Sequence, residues 1–146
     1  MIEINNTTKQ KINSRKTEDI IKKFLCRYKK TGHDVSIAIV GPGRIRRLNR
    51  EYRRLDKPTD VLSFSASIGF SPVQKYLGEV VINISETKKP SKYFEVFNSK
   101  KSAAYIFDFL LVHGLLHLIG YDDKTEKGRQ EMLALGGQFL KWYNKS

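Results

Sequence analysis

The stretch from Ala103 to Ile119 is the longest apolar run in the chain, and it carries Asp108, His113 and His117. A helix that is apolar nearly all round must be buried, so the run predicts a core helix on which the rest of the chain packs. It is too short, and too polar at those three points, for a membrane span. Asn98 or Ser99 is the expected N-cap, and Gly120 is the residue that can take the left-handed conformation ending such a helix.

The remaining elements follow from periodicity. Ile2–Ile4 reads as a short strand. Thr17 is placed to cap a helix through about Lys30, with Ile20, Ile21, Phe24, Leu25 and Tyr28 as its apolar stripe and Gly32 beyond its end. On that helix Cys26 is expected to be a buried small apolar residue. The β-branched segment 35–40 is a strand, Gly41-Pro42-Gly43 a turn, and 44–53 a helix with Ile45, Leu48, Asn49 and Tyr52 on one side. Residues 61–64 and 77–82 read as strands, Ser65–Lys75 as an irregular loop, and 88–92 as a loop or interrupted helix. A last helix is expected from about Thr125 to Tyr143. Strands mixed with helices at short spacing predict an α+β fold: one domain over residues 1–146, a small mixed β-sheet covered by about five helices.

Lysine and arginine total 27 against 15 acidic residues, a net charge of +12. That excess points to a polyanionic partner, since neutralising phosphates drives nucleic-acid binding. It is also uneven. Residues 42–57 hold Arg44, Arg46, Arg47, Arg50, Arg53, Arg54 and Lys57 against Glu51 and Asp56 alone. The single cysteine excludes an intrachain disulfide, and the start of the chain has no secretory pattern, so a cytoplasmic location and no membrane association are expected.

At the end of the core helix, His113 and His117 stand four residues apart. Side chains at that spacing share a helix face and can reach one ion. A turn at Gly120 can fold Asp122 and Asp123 back toward the same face, and two histidines with one carboxylate would leave a coordination position open, which points to a catalytic rather than structural zinc. Asp123 has a second possible role: with Glu126 three residues on, it forms a helix capping box, and Asp122 could cap instead. Gly114 follows the first histidine where the common zinc peptidases carry their glutamate base, so a peptidase of that kind is disfavoured and any base lies elsewhere. Asp108 lies on another side of the helix, and His33 sits in a turn where a surface role is expected. Asp60 and Ser63 either line the site or serve as a turn cap and a sheet residue.

Three blocks in order resemble the YbeY family of bacterial endoribonucleases: Asn49-Arg50-x-Tyr52-Arg53-x-x-Asp56-Lys57-Pro58-Thr59-Asp60-Val61-Leu62-Ser63-Phe64, then Leu77-Gly78-Glu79-Val80-Val81-Ile82, then His113-Gly-x-Leu-His117-Leu-x-Gly120-Tyr121-Asp122. The resemblance implies a metal-dependent, single-strand-specific endoribonuclease acting in small-subunit (16S) rRNA 3′-end maturation and ribosome quality control. Its partners would be rRNA and the small subunit or a ribosomal protein. It further implies one zinc per chain on His113, His117 and a third ligand that is usually histidine in the family and is Asp123 here. Arg53 takes the place of the family's important arginine, as the residue contacting the scissile phosphate, with Arg44, Arg46, Arg47, Arg50, Arg54 and Lys57 on the RNA backbone. The competing reading is a non-catalytic rRNA-binding assembly factor in which zinc only braces the helix end. A hydrolase acting on other substrates and a metal-free RNA-binding module are further alternatives, and the basic segment weighs against the first of these two.

Overall fold

The computed structural model describes residues 1–66 and 75–145, so most of the Ser65–Lys75 loop expected from the sequence lies outside the described residues. In chain order the elements are β1 (Ile2–Asn6), α1 (Ser14–Arg27), β2 (Asp34–Val40), α2 (Pro42–Arg53), β3 (Val61–Ser65), β4 (Tyr76–Asn83), a 3-10 turn (Ile84–Lys88), α3 (Phe94–Phe97), α4 (Ala103–Leu118) and α5 (Glu126–Lys145). The strands form one mixed sheet in the order β1-β2-β4-β3, parallel except for the antiparallel β3–β4 pair. The expected α+β fold, with a small mixed sheet and five α-helices among the described residues, is the one observed.

Strand alternation divides the core. Val35, Ile37, Ile39, Val80 and Ile82 face α1, α4 and α5 in the main cluster. Val40, Leu62 and Val81 face the other way and pack with Ile45 of α2 in a smaller one. Helix α4 is the central element of the main layer: eleven of its residues, including Phe107, Leu111, Leu115 and Leu116, are buried. Gly114 explains how α4 lies so close to the sheet. A Cβ built there would stand 2.4 Å from Val80 Cγ1 and 3.2 Å from Ser63 Oγ, so only glycine permits this approach. Ser63 Oγ uses the proximity to donate to the Gly114 carbonyl at 2.9 Å.

Several helix starts differ from expectation, each for a local reason. Asn13, not Thr17, caps α1: its side chain accepts from the Lys16 N–H at 3.1 Å, while Thr17 is buried one turn further on. Helix α2 begins at Pro42, a residue whose fixed φ and missing N–H suit a first turn. Ser102, not Asn98 or Ser99, caps α4 by accepting from the Tyr105 N–H at 3.1 Å. Cys26 is exposed rather than buried, because it falls opposite the stripe of Ile20, Ile21, Phe24 and Leu25. The 3-10 turn and the one-turn α3 fill the region where a broken segment was expected.

Candidate active site

Helix α4 ends in a motif that builds the site. The Tyr121 N–H reaches back to the Leu116 carbonyl and the Gly120 N–H to the His117 carbonyl, each at 3.1 Å, with Gly120 at φ 111°. This is the paired bonding of a Schellman cap, and it reverses the chain. The Tyr121 carbonyl then accepts from His117 Nδ1 at 3.1 Å. A proton committed to Nδ1 leaves the Nε2 lone pair free to face the cleft.

His113 Nε2 and His117 Nε2 each lie 3.5 Å from the same oxygen, Asp123 Oδ2. That is long for a charge-assisted hydrogen bond, but it suits ligands of one ion: tetrahedral donors about 2.1 Å from a zinc stand about 3.4 Å apart. Among the described residues, His113, His117 and Asp123 form a group whose ligand atoms all lie within 4.8 Å of one another. Burial, with His117 next to it, pulls the His113 imidazole below its ordinary pKa, against the opposing pull of Asp123 and Asp60. A neutral imidazole is the form that binds a metal. His113 Nδ1 is buried with no hydrogen-bond partner among the described residues, and the ring stacks on Phe109, with centroids 6.1 Å apart.

The capping role open to Asp123 belongs to another residue. Thr125 Oγ1 accepts from the Gly128 N–H at 3.0 Å, and Asp122 Oδ1 accepts from the Lys124 N–H at 3.1 Å. Asp123 is left with both histidines.

These groups border a cleft of about 720 Å³, lined also by Arg53, Thr59, Asp60, Ser63 and Lys124. Arg53 therefore comes to the cleft from the last turn of α2, on the far side of the sheet from α4. Arg44, Arg46, Arg47, Arg50, Arg54 and Lys57 are all exposed outside it. Two of them are engaged: Arg46 binds Asp56 at 2.9 Å, and Arg50 lies 3.7 Å from the same carboxylate. Buried Asn49 donates to the Lys57 carbonyl at 2.9 Å and so pins the turn that follows α2.

Asp60 both lines the cleft and closes the turn into β3, its Oδ1 accepting from the Val61 N–H at 2.8 Å. Its other oxygen accepts from the Tyr93 hydroxyl at 3.0 Å. That hydroxyl also lies 3.3 Å from Glu86 Oε2. One proton serves one acceptor, and Glu86 has other donors: Lys92 at 2.7 Å and Lys89 at 3.1 Å. Burial acts to raise the Glu86 carboxyl, yet the two ammoniums outweigh it and hold the group below the usual carboxylate range. Burial, with both carboxylates beside it, pushes the Tyr93 phenol up, so it stays a donor to Asp60. Nothing in the local sequence around Asp60 announces this support, because Tyr93 lies 33 residues away.

An α+β domain in which a central helix and its reversed end hold two histidines and a carboxylate at an open cleft, faced by an arginine, has the layout of a metal-dependent hydrolase for an anionic substrate. The family model for endoribonuclease YbeY matches residues 3–144. The chain belongs to the endoribonuclease YbeY family, whose members are hydrolases acting on RNA. An endoribonuclease YbeY from Aliarcobacter butzleri is 33% identical over 133 residues, spanning 90% of this chain and 86% of the relative. Another, from Bacillus cytotoxicus, is 37% identical over 118 residues, 75% of this chain and 72% of the relative. The solution structure of a Thermotoga maritima protein shares the fold, with a TM-score of 0.60 over 99% of this chain and 93% of that one, at 23% identity. Among the described residues no helix is long and apolar enough to cross a membrane.

Proposed function

We propose that this chain is a zinc-dependent, single-strand-specific endoribonuclease that acts in small-subunit rRNA 3′-end maturation and ribosome quality control in the cytoplasm. The observation that carries the reading is the convergence of His113 Nε2 and His117 Nε2 on one Asp123 oxygen, 3.5 Å from each, in a cleft shared with Arg53. The donor set fits the metal: two neutral nitrogens and one carboxylate leave a position open. When bound, one zinc per chain would supply Lewis acidity toward a phosphate oxygen or a water molecule.

The chain's own residues do the rest. The Tyr121 carbonyl fixes the His117 tautomer, and Phe109 fixes the His113 ring. Arg53 presents a planar fork to the scissile phosphate and stabilises the charge that grows on it. Arg44, Arg47, Arg54 and Lys57 hold the RNA backbone without reading sequence, while Arg46 and Arg50, engaged with Asp56, contribute less. Asp60, anchored by the Val61 N–H and the Tyr93 hydroxyl, presents a fixed carboxyl group at the cleft wall.

The test is the metal content of freshly purified wild type beside Asp123→Ala, with cleavage of single-stranded RNA followed on the same preparations. About one zinc per chain in the wild type, much less in the variant, and cleavage that falls with the metal are expected. Equal zinc in both would remove Asp123 from the ligand set. A wild type that neither takes up metal on supplementation nor cleaves RNA would overturn the reading.

A further inference from the structure

Tyr52 is out of place in the most basic segment of the chain. It is 65% exposed, and Leu55, 40% exposed, lies three residues on. Around them the surface is cationic: Arg50, Arg53 and Arg54 are all exposed. An aromatic ring left in water on a surface of fixed positive charge needs a reason beyond packing, because the smaller core beneath α2 is already closed by Ile45, Leu62 and Val81.

The ring is also held in position. Its edge-to-face contact with Phe64 of β3 has centroids 5.1 Å apart and an interplanar angle of 65°. Strand alternation sends Phe64 to the α2 side, while its neighbours Ser63 and Ser65 line the cleft. Strand β3 ends the sheet order β1-β2-β4-β3, so among the described residues no strand covers its outer edge. Tyr52 thus stands on the α2 side of β3, the terminal strand among the described residues, one residue before the arginine that lines the cleft.

From this placement, and resting on the ribonuclease reading above, we infer that Tyr52 is a stacking platform for a base of the bound RNA strand and a determinant of single-strand preference. Arg53 takes a phosphate in the cleft, the strand passes over the free edge of β3, and the base of a neighbouring nucleotide lies on the exposed face of Tyr52. A π-face accepts any base, so the contact favours no sequence. It requires a base free of its stack, which a duplex does not offer without unstacking. The neighbouring guanidinium groups supply the charge that brings the backbone to the ring.

The experiment measures equilibrium binding of a short, nuclease-resistant 2′-O-methyl phosphorothioate oligoribonucleotide to the full metal-loaded chain, wild type against Tyr52→Leu and Tyr52→Trp. Leucine keeps an apolar contact with Phe64 but has no π-face; tryptophan keeps both. Tyr52→Leu should bind the single strand about tenfold more weakly, with the salt dependence unchanged because no cation is lost. Tyr52→Trp should bind at least as well as wild type, and duplex binding should be the same in all three. In wild type, an abasic nucleotide scanned along the oligonucleotide should reproduce the loss at one position and have no effect there in Tyr52→Leu. Wild-type affinity in Tyr52→Leu, an equal loss for duplex, or an abasic scan without a sensitive position would overturn the inference. None of these depends on cleavage, so failure here is separable from failure of the nuclease reading, which would appear as a wild type that binds and does not cut.

Discussion

Arg53 carries no ion pair among the described residues, whereas Arg46 and Arg50 share Asp56, which lies beyond the end of α2. An exposed arginine with no protein partner contributes little to folding and is free for a ligand. Arg53→Ala is therefore expected to lower the RNA cleavage rate by about a hundredfold or more while leaving the thermal midpoint within about a degree. Arg53→Lys should recover only part of the rate, since an ammonium restores the charge but not the two-pronged geometry. Single-turnover cleavage beside a melting curve checks both, and wild-type rates in Arg53→Ala would remove it from the chemistry. Single residues also mark how far the sequence could be read. The common face of His113 and His117 was legible because a helix fixes it at four-residue spacing, but reading a metal site there also took the apolar run, the Gly120 turn and the carboxylates beyond it. Asp123 was not, since its spacing served a capping box equally well, and only the bond from the Gly128 N–H to Thr125 shows that the helix start is satisfied without it. Gly114 was legible only as a missing base. Its positive reason is the nearness of Val80, which belongs to a strand more than 30 residues earlier.

At the scale of elements, periodic segments were readable and their ends were not. The strands and helices fall where apolar spacing puts them, but Asn13 and Ser102 took the caps that Thr17 and Asn98 or Ser99 could also have supplied. A stretch with several Ser, Thr or Asn residues offers several N-caps of similar worth, and tertiary packing chooses among them. One contact between elements has a testable cost. Asp108 of α4 is buried and pairs with Lys16 of α1 at 3.0 Å. Burial raises the Asp108 carboxyl above its ordinary value, and Lys16 only partly offsets this. The folded state therefore holds the Asp108 proton more tightly than the unfolded chain. The group's contribution to stability is most favourable at acid pH and declines as pH rises through the raised pKa. Removing the ammonium raises that pKa further and deepens the decline. Lys16→Met should thus cost about 2 kcal/mol near neutral pH, less than a fully buried pair because Lys16 is partly exposed. The deficit relative to wild type should shrink as pH falls toward the ordinary aspartate value of 3.8. Urea unfolding of both proteins across that range reads the trend. Adding Asp108→Asn to the variant should restore most of the loss at neutral pH, and a deficit independent of pH would mean that lost packing, not charge, is the cause.

For the whole molecule, the sheet separates two kinds of work. The face under α1, α4 and α5 holds the main core and, at the end of α4, the His113, His117 and Asp123 group that could hold a metal. The other face carries α2 and the smaller core, and presents its arginines to solvent. The net charge of +12 was legible at once as a polyanion signal, but its division was not, because sequence cannot tell a free arginine from a paired one. The Arg46 guanidinium binds Asp56 and holds that carboxyl below its usual range. Arg47, one residue on, is exposed and has no ion pair among the described residues. An arginine already neutralised by a carboxylate releases few counterions from RNA; a free one that meets a phosphate contributes about 0.7 to the slope of log affinity against log salt on a single strand. Arg47→Ala should therefore flatten the salt dependence of single-strand binding by about that amount, and Arg46→Ala by much less. Titrating RNA at several salt concentrations with wild type and both variants measures the three slopes. Equal flattening in the two variants would mean that Arg46 leaves Asp56 for the backbone when RNA binds, and that the charge available to RNA is the whole basic segment rather than its unpaired part.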